Sequence, residues 1–322
     1  MFVRVLFAAI SAVLLSAPVT LAQEWPTKPI RVVIPFGAGS ATDVIPRIVM
    51  DGLAKRLGQP IIVENRPGAG TATGSAIVAK AEPDGYTLLV TSSGYSVMPA
   101  MIDTVGFDPA RDLAGVIAFG DLSVALIVPV ASEHKTVAQF VANAKSKPGA
   151  FNFASLGVGS GTYMSAERFR LSAGYDAVHV PFKSGAEALT EIVAGRIDYY
   201  FCPVGTALPF ITEGKVRVLV VGNPTRSIAL PELQTSLEAG YPNSDYATWL
   251  GMLAPARTPV EIIDRLHQET LAAMKAPDVA AKLAQNSLSP MPMSPREFTA
   301  QIEREIKQNA ALVAALKINK AN

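Results

Sequence analysis

The chain has 322 residues, of which 49% are hydrophobic and 17% charged, and its formal net charge is +1. This balance excludes disordered and fibrous classes. With no basic run and no aromatic-interleaved basic patch, it offers no surface to a nucleic acid.

The chain opens on a targeting pattern. "MFVR" is a short basic start, and "VLFAAISAVLLSAPV" is an apolar run too short for a comfortable membrane span. Thr20 and Ala22 sit where a signal peptidase reads small residues. The pattern predicts a signal peptide over residues 1–22, a mature chain from Gln23 and a soluble, exported, periplasmic protein. A membrane anchor or a buried helix is the alternative reading. No cysteine lies near the cut, which argues against a lipid anchor there. Cys202 stands alone in the sequence, so no intrachain disulfide supports the fold. It lies in an apolar strand-like run, which predicts a buried, inert thiol.

"PIRVVIPF" (residues 29–36) reads as a parallel strand buried on both faces. Thr42 or Asp43 is placed to cap a helix that tolerates Pro46 near its start and stops at Gly58. "PIIVEN" (60–65) is a second strand. "RPGAGTATG" (66–74) is a glycine-rich loop leading into a helix through Ala81, and "YTLLVTSSG" (86–94) is a third strand with a polar exit. The middle of the chain repeats this logic, with strands over 123–130, 151–155, 177–182, 196–204 and 214–222. Helices fall over 136–146, up to Ala173, and after Lys183. "ATWLGMLAP" (247–255) is strand-like, and helices follow over 259–275, 276–286 and 295 to about Leu316.

Strands alternating with helices specify the α/β class. The pattern predicts two α/β lobes, with residues 23–122 plus 246–322 in lobe one and 123–245 in lobe two. The crossing points would form a hinge. One continuous domain is the alternative.

Loops between a parallel strand and a helix lie at the carboxyl edge of the sheet, where open α/β folds bind ligands. Gly37, Ala38, Gly39, Ser40, Ala41 and Thr42 form such a loop, small enough for backbone N–H groups to approach an anion. A helix N-terminus adds partial positive charge. Residues 92–98 and 155–163 read as companion loops, and facing lobes would bring all of them to one cleft.

"GAGSAT" carries part of a dinucleotide fingerprint, but Thr42 stands where the third glycine belongs, and an exported protein has no diffusible nicotinamide partner. Neither "GVGSG" nor "GAGSA" is a nucleophile elbow. His134 reads as solvated in a polar turn, His179 as packed in a strand and His267 as structural in a helix. No cluster has metal spacing. The sequence predicts no enzyme, catalytic residue, cofactor or metal.

Four stretches carry a family resemblance: "WPTKPIRVVIPFGAGSATDVIPR", "GQPIIVENRPGAGTATGSAIVAKAEPDGYTLLV", "HVPFKSGAEALTEIVAGRIDYYF", and "LPELQTSLEAGYP" with "TWLGMLAPARTP". They span nearly all of the mature chain. It resembles the substrate-binding proteins of tripartite tricarboxylate transporters, the Bug or TctC family. The resemblance implies a type II periplasmic binding-protein fold, two α/β lobes with a ligand cleft between them. It implies a solute-binding protein that captures a small organic carboxylate, dicarboxylate or aromatic, and delivers it as a monomer to membrane permease subunits.

The implied ligand-binding residues are Phe36 through Asp43 (Phe36, Gly37, Ala38, Gly39, Ser40, Ala41, Thr42, Asp43), with Ser92, Ser93 and Tyr95. Lobe two would add Ser155, Gly159, Ser160, Gly161, Thr162, Tyr163, Phe182, Lys183 and Ser184. Bridging waters would complete the grip.

Three departures from the family pattern surround this cleft. A paired glycine is replaced by Gly39-Ser40, His-Leu by Tyr163-Met164, and "VPYKG" by "VPFKSG". They suggest a ligand unlike citrate, with Tyr95, Tyr163 and Phe182 favouring an aromatic or less polar carboxylate. Asp43 reads as a helix cap, or else as a selector of a ligand amine. A sensor that presents the ligand to a signalling receptor and an exported α/β hydrolase are the alternative functions.

Overall fold

A computed structural model of the protein describes residues 25–102 and 104–315. The signal-peptide reading of residues 1–22 lies outside them.

Ile30–Ile34 (β1) is buried at every position but Arg31, as a strand covered on both faces must be. Ala41–Leu57 (α1) follows and stops at Gly58, whose φ of 66° makes the left-handed cap. Its N-cap is Ser40, not Thr42 or Asp43. Gly39, at φ +78°, completes the turn early, so the helix begins two or three residues sooner. Pro46 consequently lies deeper than the first turn and removes a bond to the Thr42 carbonyl. Ile61–Asn65 (β2), Ala72–Ala79 (α2) and Thr87–Ser92 (β3) complete a parallel unit around β1.

Beyond β3, the expected loop over 92–98 is mostly helix, Gly94–Met101 (α3). Leu113–Leu122 (β4) is a strand that the sequence reading passed over. Its glycines obscure the pattern and have a packing cause: a Cβ on Gly115 would come within 2.7 Å of the Phe298 ring.

Val124–Pro129 (β5), Val137–Ser146 (α4), Phe151–Ser155 (β6), Gly161–Ala173 (α5), Ala177–Pro181 (β7) and Gly185–Val193 (α6) fall where expected. Tyr199–Pro203 (β8) runs directly into Val204–Thr212 (α7), a helix hidden in the sequence by Gly205 and Pro209. Val216–Val221 (β9) and Trp249–Pro255 (β10) follow, then Val260–Lys275 (α8), Pro277–Gln285 (α9), Leu288–Ser289 (β11) and Pro295–Ala315 (α10).

The strands form two mixed sheets. One has the order β11-β4-β10-β3-β1-β2, the other β7-β6-β8-β5-β9. In the first, β10 runs antiparallel between β3 and β4. Trp249 of β10 meets Phe298 of α10 edge to face at 5.0 Å, which seals that layer. In the second, Phe140, Phe153, Tyr175 and Tyr199 form a buried aromatic core. Leu312 and Val313 of α10 reach that core, so the terminal helix touches both halves of the molecule. Cys202 is fully buried in β8, and burial raises its thiol well above the ordinary range. Among the described residues, no helix is long and apolar enough to cross a membrane.

Candidate functional site

The carboxyl ends of β1 and β6 face each other across a cleft, and each leads into a helix through the same six-residue pattern. Gly37-Ala38-Gly39-Ser40-Ala41-Thr42 and Gly157-Val158-Gly159-Ser160-Gly161-Thr162 share the spacing G-x-G-S-x-T. Their geometry matches at the second glycine and at the serine side chain, while Gly157 (φ 100°) is left-handed and Gly37 is not, and Ser160 but not Ser40 also accepts a helix N–H, that of Tyr163. Gly39 and Gly159 take φ of 78° and 82°. Ser40 donates from Oγ to the Gly37 carbonyl at 2.9 Å, and Ser160 donates to the Gly157 carbonyl at 2.7 Å. Each serine oxygen also lies beside the threonine two residues on, at 2.9 Å and 3.1 Å. Ser40, one of the departures from the family pattern, thus mirrors Ser160 in the opposite lobe.

These loops enclose a small inner cavity of about 20 Å³, lined by Ser40, Ala41 and Thr42 from one side and Ser160, Gly161 and Thr162 from the other. That volume holds one water-sized group. The N-termini of α1 and α5 both reach it, and their free N–H ends supply partial positive charge. Ser92 lines it from β3. Behind the loops, Tyr200 and Thr248 also line it, and their buried hydroxyls have no hydrogen-bond partner among the described residues.

A larger cavity of about 640 Å³ opens outward from there. Phe36, Gly37 and Ser40 line it from lobe one, and Leu156, Ser160, Phe182 and Lys183 from lobe two. Lys183 is the one charged side chain among the residues lining the two cavities. The lobes approach closely at its rim. A Cβ on Gly37 would sit 2.8 Å from the Lys183 carbonyl oxygen, and a Cβ on Gly94 would sit 2.9 Å from that of Gly159.

The second glycine-rich loop, which the sequence reading left out of the cleft, lines it with Pro67, Gly68, Ala69, Gly70 and Thr71. Ala69 and Thr71 hold φ of 43° and 90°, strained values for residues with a Cβ. The signal was present in "RPGAGTATG", but this loop follows an edge strand, and only the sheet order brings it beside β1.

Several expected site residues have other employment. Tyr95 is fully buried, donates its hydroxyl to the Pro109 carbonyl at 2.7 Å and packs near Phe107. Tyr163 packs against Phe153 and His179. Neither lines a cavity, because each ring follows the inward face of its helix. Ser184 caps α6 by accepting the Glu187 N–H. Ser93 is buried beneath the loop, with its carbonyl taken by Ser96 and Tyr246. Ala38, Gly39 and Gly159 shape their loops without lining either cavity.

Asp43 is also turned away from the cleft. Its Oδ2 accepts the Gly39 N–H at 2.9 Å, and its Oδ1 accepts Arg47 Nε at 3.0 Å and Asn65 Nδ2 at 2.8 Å. It braces the loop from within and is not the N-cap.

Ser155 is fully buried at the end of β6, with Oγ 2.6 Å from His179 Nε2 and accepting the Gly157 N–H at 3.0 Å. This Ser–His pair lines neither cavity; it anchors the start of the third loop. His179 is packed as expected, between Phe153 and Tyr163, and burial pushes its pKa down to about 4. The unfolded chain therefore takes the proton first. Stability linked to His179 is full above the ordinary value of 6.5 and is lost as pH falls toward 4. Denaturant titrations across that window should show a smaller slope in His179→Gln than in the wild type; equal slopes would contradict it.

His134 departs from expectation. It is buried against Phe140 and Phe151 and bonded to Ser132 and Asn143. The aromatic core reaches under a turn whose sequence looks wholly polar. His267 has the structural role expected, with Nδ1 3.0 Å from the Val116 carbonyl.

Two α/β sheets with loops from both meeting at one cleft define the type II periplasmic binding-protein class. The comparisons with known proteins agree. The tripartite tricarboxylate transporter family receptor model, TctC, matches residues 45–318, and the chain belongs to that family. Protein BugT of Bordetella pertussis is 30% identical over 305 residues, covering 93% of this chain and 92% of BugT. MatC from Rhodopseudomonas palustris, solved with bound malate, is 31% identical with a TM-score of 0.83, over 90% of this chain and all of that one (100%). R. palustris Rpa4515, solved with adipate, is 28% identical with a TM-score of 0.86, over 92% and 99%. The chain is a solute-binding protein of the TctC/Bug type.

Proposed function

We propose that this protein captures a small organic carboxylate in the periplasm and delivers it to the membrane permease subunits of a tripartite tricarboxylate-type transporter. The observation that carries the reading is the pair of matched G-x-G-S-x-T loops, which aim two helix N-termini at one hydroxyl-lined cavity. Such a site favours a carboxylate oxygen over any neutral group. The malate and adipate held by related structures support the same ligand class.

In this reading, Ser40, Ala41, Thr42, Ser92, Ser160, Gly161 and Thr162 grip one carboxylate, directly or through water. Phe36, Gly37, Phe182 and Lys183 enclose the rest of the ligand. Phe36 and Phe182 supply apolar walls, and Lys183 suits a second carboxylate at the rim. With Tyr95 and Tyr163 employed elsewhere, a dicarboxylate is favoured over an aromatic acid. No bond is made or broken. The ligand stabilises the closed state because it touches both lobes there and one lobe when they part. Residues 1–22 act as the signal peptide, the lobes divide as 23–122 plus 246–322 and 123–245, and the protein works as a monomer. The division is supported by the membership of the two sheets.

A thermal-shift screen against malate, adipate, citrate and aromatic acids tests the reading. A ligand at a hundred times its Kd should add about 2.7 kcal/mol. Silence across the whole carboxylate set would overturn it.

A further inference from the structure

The loop hydroxyls that line the inner cavity have no hydrogen to give a ligand. A hydroxyl carries one donor hydrogen and two acceptor lone pairs. Ser40 donates its hydrogen to the Gly37 carbonyl, 2.9 Å away. The 2.9 Å contact between Ser40 and Thr42 must then be a bond from Thr42 to Ser40. The opposite loop repeats the relay. Ser160 donates to the Gly157 carbonyl at 2.7 Å, so Thr162 donates to Ser160 across 3.1 Å. Thr162 also accepts the Leu156 N–H at 3.0 Å, and Ser160 accepts the Tyr163 N–H at 3.2 Å. A carboxylate only accepts, and toward it these four side chains offer lone pairs. The loops can meet it with backbone N–H groups at the starts of α1 and α5. Ser92, whose Oγ accepts the Gly94 N–H at 3.3 Å, gives its own hydrogen to no group among the described residues.

Two further donors stand behind the loops. Among the described residues with a buried, unpartnered side-chain N or O, only Tyr200 and Thr248 line this cavity. Tyr200 is fully buried on β8, between β6 and β5, in a cluster with Ile127, Ala154 and Leu189. A Cβ on Gly185, the first residue of α6 and itself a lining residue, would lie 3.7 Å from the Tyr200 hydroxyl oxygen. Thr248 enters from the other lobe, just before β10. Its N–H donates to Asp121 Oδ1 at 2.9 Å and its carbonyl accepts the Leu122 N–H at 2.8 Å, so its backbone is fixed. Its Oγ1 would lie 3.0 Å from a Cβ on Gly161, the first residue of α5 and another lining residue.

We propose, resting on the carboxylate reading, that Tyr200 and Thr248 are specificity-determining ligand contacts: their hydroxyls donate to the bound carboxylate, directly or through one water, while the loop serines and threonines fix the loop backbone.

A buried hydroxyl without a partner destabilises the free protein, and a ligand oxygen that accepts its hydrogen removes that penalty on binding. Burial also lifts the Tyr200 phenol well above its ordinary range, so it keeps its hydrogen as a donor.

Calorimetry on the purified full chain, titrated with malate, adipate, citrate and benzoate, tests this beside urea unfolding of the free protein. Tyr200→Phe and Thr248→Val should each weaken binding about tenfold or more, because each removes a hydrogen bond to a charged group. Neither should lower the urea midpoint, because neither breaks a bond of the free protein. Thr248→Ser, which keeps the hydroxyl, should recover most of the affinity. Tyr199→Phe is the control: it removes a buried hydroxyl from the other face of β8, in the aromatic core, and should bind as the wild type does. If Thr248→Val does not fold, the comparison of Tyr200→Phe with Tyr199→Phe decides. Wild-type affinity in either hydroxyl variant overturns the proposal and leaves the carboxylate reading standing. A lowered urea midpoint in Tyr200→Phe, or an equal loss of affinity in Tyr199→Phe, marks the effect as structural and overturns it too. A wild type that binds none of the four acids removes the carboxylate reading, and this inference with it.

Discussion

Replacing Gly37 with alanine is expected to weaken ligand binding about tenfold to a hundredfold and to leave folding stability nearly unchanged. The added Cβ would lie 2.8 Å from the Lys183 carbonyl oxygen, well inside ordinary contact distance. Neither partner has room to yield cheaply. Lys183 meets the methyl with its backbone, and its N–H is bonded to Glu187 Oε2 at 3.3 Å. Gly37 itself is not in the left-handed region, so alanine fits its own backbone. On the proposed closing of the lobes, the clash exists only when they are together. Overpacking of this kind costs about 1–3 kcal/mol, charged to the closed state alone. Calorimetry against whichever carboxylate the screen finds should show the lost affinity, and denaturant unfolding of the apo protein should match the wild type. Wild-type affinity in Gly37→Ala would mean that the ligand does not need this approach of the lobes.

Truncating Asp43 to alanine should cost about 2–4 kcal/mol of stability and impair binding as well. The side chain is 3% exposed. Its loss strands the Gly39 N–H and takes the shared acceptor from Arg47 and Asn65. Asn65 in turn holds the Phe36 carbonyl at 3.0 Å, so the damage reaches the wall of the cleft. The ion pair with Arg47 contributes less than its 3.0 Å distance suggests, because that arginine is 42% exposed. Asp43→Asn retains an acceptor for Gly39 but turns an NH2 toward groups that donate, and should fall between wild type and alanine. Chemical denaturation measures both. A change under about 0.5 kcal/mol in Asp43→Ala would show that the loop stands without its brace.

Much of this was legible in the chain itself. The unbroken apolar run of β1 predicts a strand covered on both faces, and Gly58 marks the end of α1. The matched G-x-G-S-x-T loops are also written in the sequence, at residues 37–42 and 157–162. They escape a linear reading because one looks like a defective dinucleotide loop and the other like a failed nucleophile elbow until they are set side by side. The strand β4 and helix α7 were hidden for a different reason. Their glycines and proline answer to neighbours far along the chain, as Gly115 answers to Phe298. Local pattern then points away from the structure that packing imposes.

The aromatic residues mark the sharpest division. Tyr95, Tyr163 and Phe182 all lie near cleft loops in sequence, yet only Phe182 lines a cavity. Which way a ring on a short helix points depends on what lies beneath it, here Pro109 for Tyr95 and Phe153 for Tyr163. Asp43 likewise reads as a cap until Asn65 and Arg47 are seen to claim it. By itself, the sequence determined the α/β class, the glycine-rich loops at the strand ends and the family, because periodicity, glycine spacing and motifs are local. Only the tertiary structure decided which loops share a cleft, which side chains face it and which residues join the two sheets. Those follow from the order of strands in two sheets, and strand order is a matter of contacts between residues far apart in the chain.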